Sequence, residues 1–345
     1  MMRRLPVYFL LDVSESMLGL PLRQLETGME QIIRSLRTDP QALESVYLSV
    51  VAFAGKADVI VPLIDVVSFY PPRLPVGSGT ALGAALNCLM DNIEKDVVKT
   101  TTERRGDWKP VIFLMTDGRP TDNTDEAVRR WNTEFAHRAQ LVAITLGDQA
   151  DTSVLSKMTD DVLCLEGNDG KTFKQFIDWI SASVTATSYL VESNAGAGVS
   201  LAKKPTGLTL VKDFPVHTAS AVDESVVVLT GRCQKSERPY LIKYNRSDDA
   251  GFGEQEFELE GAFPIEESFF AWSAIDKEGA QVNTDQLIGV PACPHCGNGT
   301  AFAMCSCGGL LCTDGAGPYS CPWCKTEGMF SEGSDGDFDV TRGMG

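Results

Sequence analysis

Val7-Tyr8-Phe9-Leu10-Leu11-Asp12-Val13-Ser14-Glu15-Ser16 decides how this chain is read. Its first five residues form a short continuous apolar run, the mark of a strand covered on both faces. The run ends on an aspartate, and two serines follow on alternate residues, so both hydroxyls can face one point. Residues 111–115 repeat the apolar run and lead into Thr116-Asp117-Gly118, and between the two lies the loop Gly77-Ser78-Gly79-Thr80. An aspartate at the end of each of two buried strands, with neutral hydroxyl oxygens beside them, suits a hard divalent cation that keeps room for water or an outside carboxylate. Asp12, Ser14, Ser16, Thr80 and Asp117 are the candidate ligands, for Mg2+ or alternatively Mn2+ or Ca2+.

Outward from this stretch, strand and helix patterns alternate to about residue 190. Leu22, Leu25, Met29, Ile32, Ile33 and Leu36 recur at helical spacing, and Pro40 lies beyond their end. Residues 46–53 and 57–61 flank Ala54-Gly55-Lys56 as a hairpin. A helix is expected over 81–93 directly after Thr80, and a polar-faced one over 125–139. A third buried strand covers 141–146, and Phe173, Phe176, Ile177, Ile180 and Val184 mark a closing helix. The fold class expected for residues 1–190 is α/β, a Rossmann-like doubly wound and mostly parallel sheet with helices on both faces. Ligands of such sheets bind beyond the carboxyl ends of the strands, where strand order reverses. Asp12 and Asp117 fall there.

The texture then changes. Residues 195–287 carry short β-like runs at 208–211, 225–230, 240–244, 257–259 and 268–274, and read as a β-rich middle segment without chemistry of its own. Cys233 stands alone and His217 has no evident partner, so both are read as structural residues. Residues 288–330 form a small zinc-ribbon-like module. The stretch 331–345, acidic and poor in apolar residues, is expected to be disordered.

Seven of the ten cysteines crowd between Cys293 and Cys324. Cys293-Pro294-His295-Cys296 and Cys321-Pro322-Trp323-Cys324 are two knuckles of the kind that present paired thiolates to one ion, and two knuckles close a tetrahedral zinc site. The first choice of ligands is therefore Cys293, Cys296, Cys321 and Cys324. Cys305, Cys307 and Cys312 then serve a second ion with His295 or an acid, or replace one of the knuckles. A closed four-sulfur site is structural, and its zinc supplies folding energy that so short a segment cannot draw from a core.

The net charge of −17 argues against nucleic acid or an anionic membrane as the main partner. Met1-Met2-Arg3-Arg4 followed by 5–11 is too short and too abruptly acidic for a secretory signal, and no run approaches the roughly 20 apolar residues of a membrane span. Clustered cysteine pairs fit a reducing compartment, so the expected location is the cytoplasm.

The three oxygen-bearing motifs together resemble the metal-ion-dependent adhesion site, or MIDAS, of von Willebrand factor A domains. That resemblance implies direct ligation by Ser14, Ser16 and Thr80, with Asp12 and Asp117 acting partly through water. Combined with the Cys-Pro-x-Cys knuckles, the chain resembles the TerY-like tellurium-resistance-associated proteins. The resemblance implies a non-enzymatic component of a stress-response system whose A domain takes an acidic residue of a protein partner onto its metal. It also implies association with a serine/threonine kinase and a metal-dependent protein phosphatase, with phosphorylation of the chain.

The alternative is a metal-dependent hydrolase or phosphotransferase using the same ion. A haloacid-dehalogenase-like enzyme would want a second acid where Ser14 stands. A nucleotide site would want its glycines directly after the first strand, and here Gly77 and Gly79 come far later. None of the three histidines sits beside a candidate nucleophile.

Overall fold

The computed structural model describes residues 3–103, 105–146, 152–165, 170–192, 201–203, 208–211, 225–247, 256–274, 280–330 and 337–343. Its first sheet holds β1 (Leu5–Asp12), β2 (Val46–Phe53), β3 (Ala57–Asp65), β4 (Val111–Thr116), β5 (Gln140–Leu146), β6 (Val162–Leu165) and β7 (Leu208–Leu210). They lie in the order β3-β2-β1-β4-β5-β6-β7. β2, β1, β4, β5 and β6 run parallel, while β3 and β7 close the two edges antiparallel. Every residue of β1 and β4 is buried, as their unbroken apolar runs require. From β1 the chain goes first to β2 on one side and later to β4 on the other. The order therefore reverses between the two strands that end in Asp12 and lead into Asp117.

α1 (Leu20–Thr38), α2 (Pro40–Ser45) and, later in the chain, α6 (Gly170–Glu192) cover one face. α3 (Leu82–Asp96), α4 (Asp125–Arg130) and α5 (Thr152–Leu155) cover the other. The apolar stripe of α1 buries all six residues that set its spacing. The helix expected over 125–139 is shorter and passes into one wider turn, Trp131–Phe135.

The second sheet revises the expected division of the chain. β8 (Val226–Arg232), β9 (Pro239–Arg246) and β10 (Phe257–Pro264) are followed by α7 (Ser268–Trp272), β11 (Gln281–Asn283), β12 (Leu287–Ile288), β13 (Thr300–Met304) and β14 (Leu310–Thr313). Six of these strands form one sheet in the order β12-β10-β9-β8-β14-β13. Strands from both sides of the expected boundary at 287 are thus neighbours, and 195–287 and 288–330 are not separate units. β15 (Gly317–Ser320) and β16 (Glu327–Phe330) make a small hairpin.

Three further expectations change. Residues 208–210 belong to the first sheet as β7, so that domain continues past 190. Residues 268–272 are helical, not extended: a five-residue aromatic run carries no period that separates the two. Within the tail expected to be disordered, β17 (Asp339–Thr341) pairs with β11 and buries Val340; residues 331–336 and His217 lie outside the described residues. No helix among the described residues is long and apolar enough to cross a membrane.

Candidate metal centres

β1 delivers Asp12 to the carboxyl edge of the first sheet, fully buried. Its Oδ1 accepts from the Ser14 amide at 2.9 Å and its Oδ2 from the Thr116 hydroxyl at 2.5 Å. The chain then turns through Glu15–Met17, which places the Ser14 and Ser16 hydroxyls 3.0 Å apart. The Ser16 hydroxyl donates to Asp117 Oδ1 at 3.0 Å. The Gly77–Thr80 loop is laid beside this turn by a bridge between Ser14 and Gly77. Gly79 has φ +94°, a left-handed conformation that glycine adopts without strain.

Thr80 is gripped through its backbone. Its amide donates to the Thr121 hydroxyl and its carbonyl accepts from the Thr121 amide, both at 2.9 Å. Asp122 takes the amides of Gly83 and Ala84 and so caps α3 from across the loop. Asp122 and Thr121 were not among the candidates in the sequence, where Thr116 entered only as the neighbour of Asp117. With its backbone held, the Thr80 hydroxyl is left buried with no hydrogen-bond partner among the described residues. A Cβ at Gly118 would lie 3.2 Å from Thr80 Oγ1 and 4.0 Å from Asp12 Oδ2, so these oxygens converge on a space that glycine keeps clear.

All five candidate oxygen ligands are therefore brought together. An all-oxygen set of two carboxylates and three hydroxyls, with one buried hydroxyl unsatisfied, fits a hard divalent cation. Burial pushes the Asp12 carboxyl up to about 6, against the pull of its bonds from Thr116 and Ser14. A cation at the convergence point would favour the ionised form. Glu15 does not face outward: its Oε1 accepts from the Ser78 hydroxyl at 2.9 Å.

Among the described residues, eight of the ten cysteines form two clusters, neither of them the expected one. Cys233, Cys293, Cys296 and Cys312 make the first, and Cys305, Cys307, Cys321 and Cys324 the second, with the sulfurs of each within 4.8 Å of one another. The knuckles Cys293/Cys296 and Cys321/Cys324 thus belong to different centres. The pairs Cys296–Cys312, Cys305–Cys324 and Cys307–Cys321 are 3.6, 3.8 and 3.8 Å apart. A tetrahedron with Zn–S near 2.3 Å has edges of about 3.8 Å, so both sets fit zinc. His295 is in neither cluster; its Nε2 lies 2.8 Å from the Pro239 carbonyl.

Cys233 enters a cluster because its turn copies a knuckle. In the turns at Cys233, Cys293 and Cys321 the fourth residue onward, Glu237, Gly297 or Lys325, has positive φ and donates its amide to the cysteine carbonyl. Ser236 fills the place of the second cysteine in the first turn, and Cys312 supplies the missing sulfur. Burial raises the Cys233 thiol, but bonds from Ser236 and Lys235 outweigh it and bring the group down to about 7. In the second cluster the amide of Cys307 and the hydroxyl of Tyr319 overcome burial and lower Cys305 to about 6. Burial pushes Cys321 up to about 12.

Comparison with known proteins follows the same division. Residues 7–178 match the von Willebrand factor type A domain, and residues 223–345 match the TerY-C metal binding domain. The chain carries the domain pair of the TerY-like proteins, a von Willebrand factor type A domain followed by a TerY-C metal binding domain. The second match starts just before β8 and spans the whole second sheet, both cysteine clusters and β17. Among individual proteins, the TerY-like chain is 28% identical over 133 residues to a putative pre-16S rRNA nuclease of Nitrosospira multiformis, covering 37% of this chain and 86% of that one.

Similar solved structures include a von Willebrand factor type A protein from Catenulispora acidiphila, with 17% identity, TM-score 0.42, and coverage of 53% of this chain and 43% of that one. Proximal thread matrix protein 1 of the mussel byssus, with its MIDAS motif occupied by zinc, has 19% identity and TM-score 0.37, covering 52% and 46%. The ArnB paralog VWA2 of Sulfolobus acidocaldarius has 10% identity and TM-score 0.38, covering 99% and 66%. This chain thus spans less than half the length of the first two.

Proposed function

We propose that this protein is a non-enzymatic, metal-dependent interaction module. Asp12, Ser14, Ser16, Thr80 and Asp117 hold one divalent cation, Mg2+ first and Mn2+ or Ca2+ as alternatives, in a MIDAS arrangement. An acidic side chain of a protein partner completes its shell. The observation that carries this reading is the buried Thr80 hydroxyl, unpartnered among the described residues and converging with Asp12. Three of the five ligands are neutral hydroxyls and the two carboxylates act partly through water, so the ion keeps an exchangeable position that a carboxylate from outside can take. The two cysteine clusters hold two structural zinc ions. The wider setting in this proposal is cytoplasmic, in a tellurium-resistance or stress-response system, with a serine/threonine kinase that phosphorylates the chain and a metal-dependent protein phosphatase as neighbours.

The test is affinity capture of partners in Mg2+ and in EDTA, with wild type and Asp12→Ala. Partners retained in Mg2+ and released by both treatments support the reading, and partners indifferent to both overturn it. The likeness to a protein named as a nuclease keeps one alternative specific, a metal-dependent hydrolase or phosphotransferase at the same ion. Sustained Mg2+-dependent turnover of RNA or phosphomonoesters, abolished by Asp12→Ala, would establish it. Ser14 in place of a second acid stands against it.

A further inference from the structure

The C-terminal domain does not merely follow the first; it holds the backbone of the two loops that carry the hydroxyls. Lys243 of β9 is almost wholly buried, and its Nζ donates to the carbonyls of Ser16 at 2.8 Å and Leu18 at 2.9 Å. Its charge is balanced by Glu260 of β10, 3.1 Å away. A buried ammonium is tolerated only when paired and hydrogen-bonded, and here two of its acceptors belong to the other domain. One of them is the backbone of a candidate ligand.

The second loop is held by the turn after α7. The Ser78 amide donates to Ser273 Oγ at 2.9 Å, and the Ser78 carbonyl accepts from the Ala274 amide at 3.0 Å. Both backbone groups of Ser78, two residues before Thr80, are thus taken by the C-terminal domain. The Gly55 amide donates to the Trp272 carbonyl at 2.9 Å, and the neighbouring Ala54 carbonyl accepts from the Ala81 amide, the residue after Thr80. The approach is too close for side chains. A Cβ at Gly55 would come within 2.0 Å of the Ala274 nitrogen, and one at Gly77 within 2.5 Å of the Trp272 oxygen.

Resting on the cation reading above, we infer that Lys243 and Ser273 are positioning residues that preset the Ser16 and Thr80 hydroxyls and thereby favour Mg2+ over Ca2+. The physical reason is the difference in tolerance between the ions. Mg2+ demands near-octahedral ligands at about 2.0–2.1 Å, whereas Ca2+ accepts irregular shells at about 2.3–2.6 Å. Freeing either loop by a few tenths of an ångström penalises the smaller ion. A lysine and a serine contributed from a separate domain therefore act on ion choice without touching the ion.

The experiment measures Mg2+ and Ca2+ affinity by calorimetry on the full chain: wild type, Lys243→Met, Ser273→Ala and Asp12→Ala, with zinc content and circular dichroism as checks of folding. Lys243→Met and Ser273→Ala are expected to weaken Mg2+ on the order of tenfold, as outer-shell changes do, and Ca2+ by less than about threefold. Should Lys243→Met lose zinc or misfold, Ser273→Ala decides alone, since it removes one hydroxyl. Mg2+ affinity unchanged in Ser273→Ala, or equal losses for both ions, would overturn the inference. Asp12→Ala binding Mg2+ as wild type would instead overturn the cation reading on which it rests.

Discussion

The Ser78 hydroxyl donates to Glu15 Oε1 at 2.9 Å, tying the turn that bears Ser14 and Ser16 to the loop that bears Thr80. Glu15 is almost fully buried, and Gly343 packs so closely on its carboxylate that a Cβ there would collide with it. One acid thus joins both hydroxyl loops and the end of the C-terminal domain.

Removing either partner of that bond should loosen both loops. Glu15→Ala and Ser78→Ala are each expected to cost about 1–3 kcal/mol, the usual penalty when a buried polar group loses its partner. Each should also weaken the cation on the order of tenfold. The double variant should add little to the worse single one, because the two residues share one interaction. Denaturant unfolding and cation titration of all four proteins measure this. Fully additive losses would mean that the two side chains act independently.

Cys233 is predicted to be a metal ligand and no longer a bystander. Its sulfur lies within the core of the C-terminal domain beside Cys293 and Cys312, whereas Cys307 and Cys324 of the second cluster are exposed. Cys233→Ser should reduce zinc from two ions per chain to one and disrupt the domain, since structural zinc is folding free energy. Cys307→Ser should lose one ion while β8, β9 and β10 keep their packing. Elemental analysis with hydrogen exchange of the three strands distinguishes the two. Retention of both ions by Cys233→Ser would remove it from the ligand set.

Much of the cation site was legible because its residues come in short motifs at strand ends, where the chain itself sets their spacing. The apolar runs at 7–11 and 111–115 announce β1 and β4, the first meeting Asp12 directly and the second reaching Asp117 after Thr116. Thr121 and Ser273 were not legible: each acts through a contact made across the fold, and a lone hydroxyl carries no pattern. The zinc pairing failed for a related reason. Knuckle spacing shows which cysteines share a turn, not which turns meet, and Ser236 hides the kinship of the Cys233 turn with the others. Residues 268–272 were read as extended because five residues are too few to show a period; as a helix they bring Ser273 to Ser78.

The position of β7 yields a prediction about the domain boundary. β7 pairs with β6 and buries Leu208, so a chain ending near residue 193 leaves β6 as an open parallel edge. Compared with a chain ending at 211, it should lose about 2 kcal/mol, the order of one buried leucine, and should associate through the bare strand. Both lengths can be compared by thermal melting and light scattering. Equal stability and equal monodispersity would show that β7 contributes nothing to the first domain.

The last prediction concerns the cost of keeping Asp12 ready for an ion. Burial raises its carboxyl from 3.8 to about 6, so in the ion-free protein its charge is destabilising. That penalty is absent below pH 3.8, grows as the pH rises through about 6, and is complete above it. Two pH units correspond to about 3 kcal/mol. Asp12→Asn keeps the shape and an acceptor for the Ser14 amide but carries no charge. Without divalent ions it should be more stable than wild type by about 1–3 kcal/mol at pH 7.5, with the difference shrinking toward pH 4. Adding Mg2+ should raise the wild-type Tm and leave that of Asp12→Asn nearly unchanged, because the variant lacks the carboxylate that makes the ion's binding favourable. Thermal melts at both pH values, with Mg2+ and with EDTA, read all of this directly. A variant no more stable than wild type in EDTA at pH 7.5, or one stabilised by Mg2+ as much as wild type, would mean that Asp12 is held charged by its hydrogen bonds alone and that the ion binds without it.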